Sequence, residues 1–190
     1  MKKNKKIKEL TKKDLNDFFE RFEEELGRKK TAASYVILGG AALVLLDFIE
    51  RSTEDLDIAK EEGDRGLISE AAEKYGIKID WVTQCTTVDF VECPKEIVFL
   101  KKQLKVSSIN PRDLLKSKIE RFEKQDPEDI NAILDKLQMS YEELKNIFAE
   151  MLQEFVGNQD RLKIKARILV ERKFSEHAPD FYRSFKLSYE

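Results

Sequence analysis

Two short stretches decide the fold: Tyr35-Val36-Ile37-Leu38-Gly39-Gly40-Ala41-Ala42 and, fifteen positions after Gly40, Asp55-Leu56-Asp57-Ile58. Tyr35 to Leu38 is wholly apolar, as a strand buried on both faces is. Two glycines follow at once, and the apolar run Ala41 to Ile49 reads as a helix. Asp55 to Ala59 alternates polar and apolar residues, which predicts a half-buried strand. Strand, glycine turn, helix and strand in this order predict a mixed α/β core.

Outward from there, Thr11 is a candidate N-cap for a helix over 11–29. Leu15, Phe18, Phe19, Phe22 and Leu26 recur at helical spacing and Gly27 stands near its end. Gly63 to Tyr75 reads as a surface helix and Ile77 to Val82 as a strand. Residues 86–109 predict two or three more strands, Ile97–Leu100 and Leu104–Val106 among them. Beyond that the pattern is helical to about Phe174. Pro111 and Pro127 open helices, Ser140 caps a third, and Gly157-Asn158 precedes a basic fourth. The last fourteen residues read as an irregular tail. The expected class is α/β of the α+β kind: a mixed sheet flanked by helices, with a helical C-terminal region. Its segments are an N-terminal helix at 1–29, a core at 30–138 and a helical extension at 139–190, packed as one compact unit.

Composition removes several function classes. The 190 residues carry 35 Lys+Arg against 37 Asp+Glu, a formal net charge of -2, whereas a DNA-coating protein shows a clear basic excess. Seven Gly and four Pro are few for an all-β, turn-rich chain. Cys85 and Cys93 make neither a disulfide framework nor, without nearby His, a zinc site. The longest uncharged run, Thr31 to Leu46, is shorter than the roughly 20 residues a membrane span needs. The Lys-rich start leads into charged sequence, unlike a signal peptide. A cytoplasmic protein with no membrane partner is the expectation.

The same two stretches carry the chemistry. Glycines between a strand and a helix let a phosphate approach the backbone, where the first N–H groups of the helix point at it. Carboxylates at i and i+2 of a strand share a face, so Asp55 and Asp57 stand together while Leu56 points to the core. Their repulsion is relieved by a hard cation such as Mg²⁺, which takes oxygen ligands and leaves room for phosphates. A phosphate cradle beside a metal dyad is equipment for nucleotidyl transfer. The plainer readings are solvated acids and a structural turn. A Rossmann site is disfavoured, since Gly39-Gly40-Ala41-Ala42 lacks the third glycine of G-x-G-x-x-G.

Leu38-Gly39-Gly40-Ala41-Ala42 followed by Arg51-Ser52-Thr53-Glu54-Asp55-Leu56-Asp57 resembles the opening motif of the nucleotidyltransferase superfamily. The nearest branch is that of the AbiEii/AbiGii-type toxins and their small uncharacterised relatives. The strand Ile77-Lys78-Ile79-Asp80-Trp81-Val82 is similar to the one that carries the family's third acid. The segment from Ser107 to Lys118, continuing to Asp126-Pro127-Glu128-Asp129-Ile130, resembles its Lys helix and Asp-x-x-Asp element. The resemblance covers about residues 30–138. It implies that Asp55, Asp57 and Asp80 bind Mg²⁺ or Mn²⁺, with Asp80 as candidate base. It also implies that Gly39, Gly40 and the N–H groups beyond them, from Ala41, hold the phosphates of an NTP. Lys118, with Lys116, would neutralise phosphate charge and Asp129 would order that region. Arg51 would reach substrate or pair with an acid. Many members have Ser or Thr where this chain has Ala41, which loses one phosphate hydrogen bond, about 0.5–1.5 kcal/mol. Asp80 as a strand-end cap, Lys116 and Lys118 as a solvated face, and Asp126 as a helix cap are the plainer readings, and for Asp126 the cap is preferred.

The resemblance implies transfer of a nucleoside monophosphate from an NTP to an RNA 3′ end (of tRNA, for example) or a protein hydroxyl. The setting it implies is a toxin–antitoxin or phage-defence system with an antitoxin partner. The Lys-rich start and the basic helix Arg161 to Lys173 could steer RNA, although a solvated face explains each as well. A catalytically weak nucleotidyltransferase-like interaction module is the alternative. A further one is a HEPN-like ribonuclease, suggested by the string from Arg172 to His177.

Overall fold

The computed structural model describes residues 9–83 and 85–187, and of Glu61 the backbone alone. The Lys-rich start and the last three residues therefore lie outside the described residues. The described residues form two compact units, one within 1–84 and 90–110 and one within 85–89 and 111–190.

In the first unit a capping box opens α1 (Lys12–Lys29), in which the Thr11 hydroxyl and the Asp14 carboxylate each bind the other residue's backbone N–H. The helix runs through Gly27 and stops at Lys30, whose left-handed φ of 52° returns its N–H to Gly27 and Leu26. Its apolar stripe of Leu15, Phe18, Phe19, Phe22 and Leu26 is buried. That stripe covers one face of a five-stranded sheet, with Phe19 against Phe99 and Phe22 against Tyr35. The strands are β1 (Ala33–Leu38), β2 (Asp55–Glu62), β3 (Lys78–Trp81), β4 (Lys95–Leu100) and β5 (Leu104–Ile109), in the order β3-β2-β1-β5-β4. β1 runs antiparallel to β2 and parallel to β5. β2 and β3 are parallel, while β4 and β5 are antiparallel. The expected mixed sheet flanked by helices is thus present.

Between β1 and β2 lies α2 (Gly39–Leu45), which begins two residues before the predicted Ala41 and ends four residues before Ile49. Its end is set by Asp47, held left-handed at φ 60° with its carboxylate on the Lys12 ammonium. Between β2 and β3 lies α3 (Arg65–Tyr75), capped by Asp64 and closed by Gly76. Tyr75 packs edge-on against Phe18, so α3 joins α1.

One irregularity sets what the other sheet face displays. Ile37 pairs with Ile58, but Val36 pairs with Lys60, so Ala59 is an extra residue in β2. A bulge of this kind re-aims the side chains beyond it. Asp55, Asp57, Lys60 and Glu62 consequently share the face that α1 does not cover.

The second unit is helical: α4 (Pro111–Arg121), α5 (Asp126–Lys136), α6 (Tyr141–Glu154), α7 (Gln159–Lys173) and α8 (Ala178–Phe185). The expected irregular tail is corrected here. Pro179 sits in the first turn of α8, where its missing N–H costs nothing, and Phe181 is fully buried against Phe148. The segment 85–89 belongs to this unit because the Glu120 carboxylate accepts from the N–H groups of Thr86 and Thr87. No helix among the described residues is long and apolar enough to cross a membrane.

Candidate active site

The parallel register of β2 and β3 builds the site. Asp55 pairs with Lys78 and Asp57 with Asp80, which makes a two-by-two block on the open sheet face. Asp55, Asp57 and Asp80 each direct one oxygen into the block, all within 4.8 Å of one another. Asp57 is buried and the other two are half-buried. Lys78 closes the block, its ammonium 2.5 Å from Asp80 Oδ2 and 3.7 Å from Asp55 Oδ2. The hydrogen bond to Asp80 pushes the Lys78 pKa up, so the lysine stays charged among the acids. Three hard oxygen donors at this spacing fit a divalent cation such as Mg²⁺ or Mn²⁺.

The glycine pair is explained by close approach. Gly39 has φ +69°, and a Cβ there would stand 1.9 Å from Asp57 Oδ2. At Gly40 a Cβ would stand 2.6 Å from the Thr53 hydroxyl oxygen. Thr53 is buried and held by paired backbone hydrogen bonds with Leu10. The two glycines thus let the start of α2 lie directly against the carboxylate cluster. Ala41, next in line, is fully buried. Leu38, at the N-cap, brings no polar side chain to the helix start.

A Gly39→Ala substitution tests this arrangement. The methyl must displace the Asp57 carboxylate, and the left-handed backbone costs about 1–2 kcal/mol for a residue with a Cβ. The variant should melt several degrees lower and lose most of its Mn²⁺ affinity, read by electron paramagnetic resonance. Wild-type Mn²⁺ binding would refute the close approach.

The remaining predicted residues are placed as follows. Arg51 lies before β2 and donates to the Ser52 carbonyl at 3.1 Å. Lys116 and Lys118 belong to the second unit, on α4, and are buried there. Lys116 meets Glu150 and Glu154 of α6, each at 3.4 Å. Lys118 donates to Asp126 at 2.9 Å and to Asp129 at 2.6 Å. Asp126 does not cap α5, as was preferred from sequence. It sits inside the first turn, fully buried, and its carboxylate accepts from Lys118, Arg121 and the Glu123 N–H. A buried carboxylate needs such partners, and they take precedence over a cap. His177 ends a 3₁₀ turn after α7 and stacks flat on Tyr141, with ring centroids 4.3 Å apart, while Arg172 lies on α7 itself.

Two participants were not singled out from sequence. Lys78 joins the acids only through strand register, although its spacing two residues from Asp80 was a usable signal. Thr53 matters through its contact with Gly40, for which the linear sequence holds no sign.

A family model described as "Nucleotidyltransferase of unknown function (DUF6036)" matches residues 13–178. No curated protein and no solved structure matches the chain.

Proposed function

The chain belongs to this nucleotidyltransferase family, and we propose that it moves a nucleoside monophosphate from an NTP to a hydroxyl acceptor with the help of Mg²⁺ or Mn²⁺. The observation that carries the reading is the three-carboxylate cluster set against the start of α2 by Gly39. Asp55, Asp57 and Asp80 would hold the cation, which when bound supplies Lewis-acid neutralisation of the phosphate charge. The N–H groups of Gly39, Gly40 and Ala41 would bind the β- and γ-phosphates, since the first turn of a helix favours anions. Arg51 would add a positive charge at the edge of that site. The acceptor oxygen bonds to the α-phosphorus as the α–β bridging bond breaks, and pyrophosphate leaves on the opposite side. The acceptor proton passes to Asp80, whose salt bridge with Lys78 holds it in place.

The acceptor we favour is an RNA 3′ end, with a protein hydroxyl as the alternative. The biological setting is a toxin of the AbiEii-like branch, paired with an antitoxin. Wild type incubated with labelled NTPs, Mn²⁺, total RNA and lysate should transfer label, and Asp55→Ala/Asp57→Ala should not. No transfer together with no metal-dependent NTP binding refutes the reading.

A second reading, a catalytically weak interaction module, is favoured by Ala41 and by the engagement of Lys118 with two acids of its own unit. It predicts NTP binding without label transfer in the same assay.

A further inference from the structure

The open face of the sheet continues past the carboxylates as a pocket of about 220 Å³, lined among others by Lys60, Lys95, Lys105, Ser34 and Ser107. Strand register lays these residues out in rows. Lys60, Val36, Ser107 and Ile97 form the row next to that of Asp57, and Glu62, Ser34, Lys105 and Leu100 form the one after. Rows on one face are two residues apart, about 7 Å, so cationic surface begins about 7 Å from Asp57.

The charges there are poorly neutralised. Lys60 has Glu62 at 4.0 Å, the one acid on the rim among the described residues. Lys95 donates to the carbonyls of Val91 and Cys93, each at 2.8 Å, which spends two of its three protons and none of its charge. Among the described residues, no carboxylate pairs with Lys95 or Lys105. Beside them Ile97 and Leu100 are 56% and 62% exposed. Lysines and hydroxyls around a hollow suit a phosphate backbone, whose charge the lysines neutralise.

Direction separates this pocket from the NTP site. The start of α2 lies beyond the C-terminal end of β1, at Leu38, whereas the pocket lies toward its N-terminal end, at Ser34 and Val36. In-line displacement puts the attacking oxygen opposite the leaving pyrophosphate. With pyrophosphate on the α2 side, the acceptor arrives from the pocket side. Resting on the nucleotidyl-transfer reading of the carboxylates, we infer that Lys60, Lys95 and Lys105 form an acceptor subsite. It takes the backbone phosphates of a single-stranded RNA whose terminal hydroxyl reaches the cluster.

The test is binding of a fluorescent ten-nucleotide RNA, followed by anisotropy between 50 and 200 mM salt, for wild type and Lys60→Ser/Lys105→Ser. Each lost contact to a single strand lowers the slope of log K against log salt by about 0.7, so the double variant should be shallower by about 1.4. Between those salt concentrations wild type then loses about 7-fold more affinity than the variant. Lys60→Arg/Lys105→Arg should restore the slope, and Mn²⁺ binding should be equal in all three proteins. An unchanged slope, no RNA binding by wild type, or label passed to a protein hydroxyl equally by wild type and variant overturns the inference. Competition by ribose 5-phosphate at the same concentration as RNA would overturn the RNA assignment in favour of a small phosphate. If the slope falls as expected but wild type binds no Mn²⁺, the pocket stands and the transfer reading fails.

Discussion

Asp57→Asn should abolish transfer and, without metal, make the protein more stable than wild type. Three carboxylate oxygens within 4.8 Å of one another repel, and Lys78 closes the block against Asp55 and Asp80. Removing one charge at that separation relieves at least about 1 kcal/mol, the value for a pair in bulk water. For a chain of this size that raises the melting temperature by about 2–4 °C in EDTA. Added Mn²⁺ reverses the order. Wild type gains about 2.7 kcal/mol at a metal concentration a hundredfold above Kd, while the variant, lacking the most buried ligand, gains little. Transfer should fall about a thousandfold, the equivalent of roughly 4 kcal/mol of lost transition-state stabilisation. The crossing of the two melting curves is the decisive readout, because a structural Asp57 would leave the variant less stable in both conditions. Parallel curves with and without Mn²⁺ refute a metal role. Such a crossing would mark the cluster as a place where folding stability is given up for metal binding.

How much of this could be read from residues varies with the range of the interaction. The run from Tyr35 to Leu38 and the alternation from Asp55 to Ile58 declare their strands within a few positions, because a short apolar run and a period of two are both visible locally. The glycine junction is legible as adjacent residues between strand and helix, and the i, i+2 spacing places Asp55 and Asp57 on one face. Lys60 was not legible. Strict alternation puts it opposite Asp57, and the bulge at Ala59, visible only in the pairing with β1, returns it to the same face. Lys78 and Asp80 depend likewise on a register between strands separated by α3. The C-terminal helix was missed because Pro179 reads as a breaker, whereas at the first turn of a helix it is tolerated. Lys118 looked like a member of a solvated face because its partners lie eight and eleven residues ahead, across the turn between α4 and α5.

That buried lysine carries the largest expected stability effect. The side chain of Lys118 is 3% exposed and those of Asp126 and Asp129 are 0% and 1% exposed. Lys118→Met leaves two carboxylates in the interior of the second unit with Arg121 on one of them, and breaking a buried pair in this way costs about 3–5 kcal/mol. The denaturation midpoint should fall accordingly. Adding Asp129→Ala removes one of those two buried charges and should recover part of the loss, since Asp126 keeps the Arg121 guanidinium and the Glu123 N–H. The pH dependence has a definite sign. Burial pushes the Asp126 carboxyl up, but the Arg121 hydrogen bond, the Lys118 charge and hydrogen bond and the Glu123 N–H together hold it below the usual carboxylate range. A depressed carboxyl stabilises the fold above its unfolded pKa of about 3.9, and that stability is lost as pH falls from there through the folded value. The gap between wild type and Lys118→Met should therefore be widest near neutrality and narrow below about pH 4. A lysine held ready for substrate phosphate behaves otherwise: its loss weakens NTP binding and spares the midpoint. An unchanged midpoint with NTP binding lost would transfer Lys118 from the core of its unit to the nucleotide site.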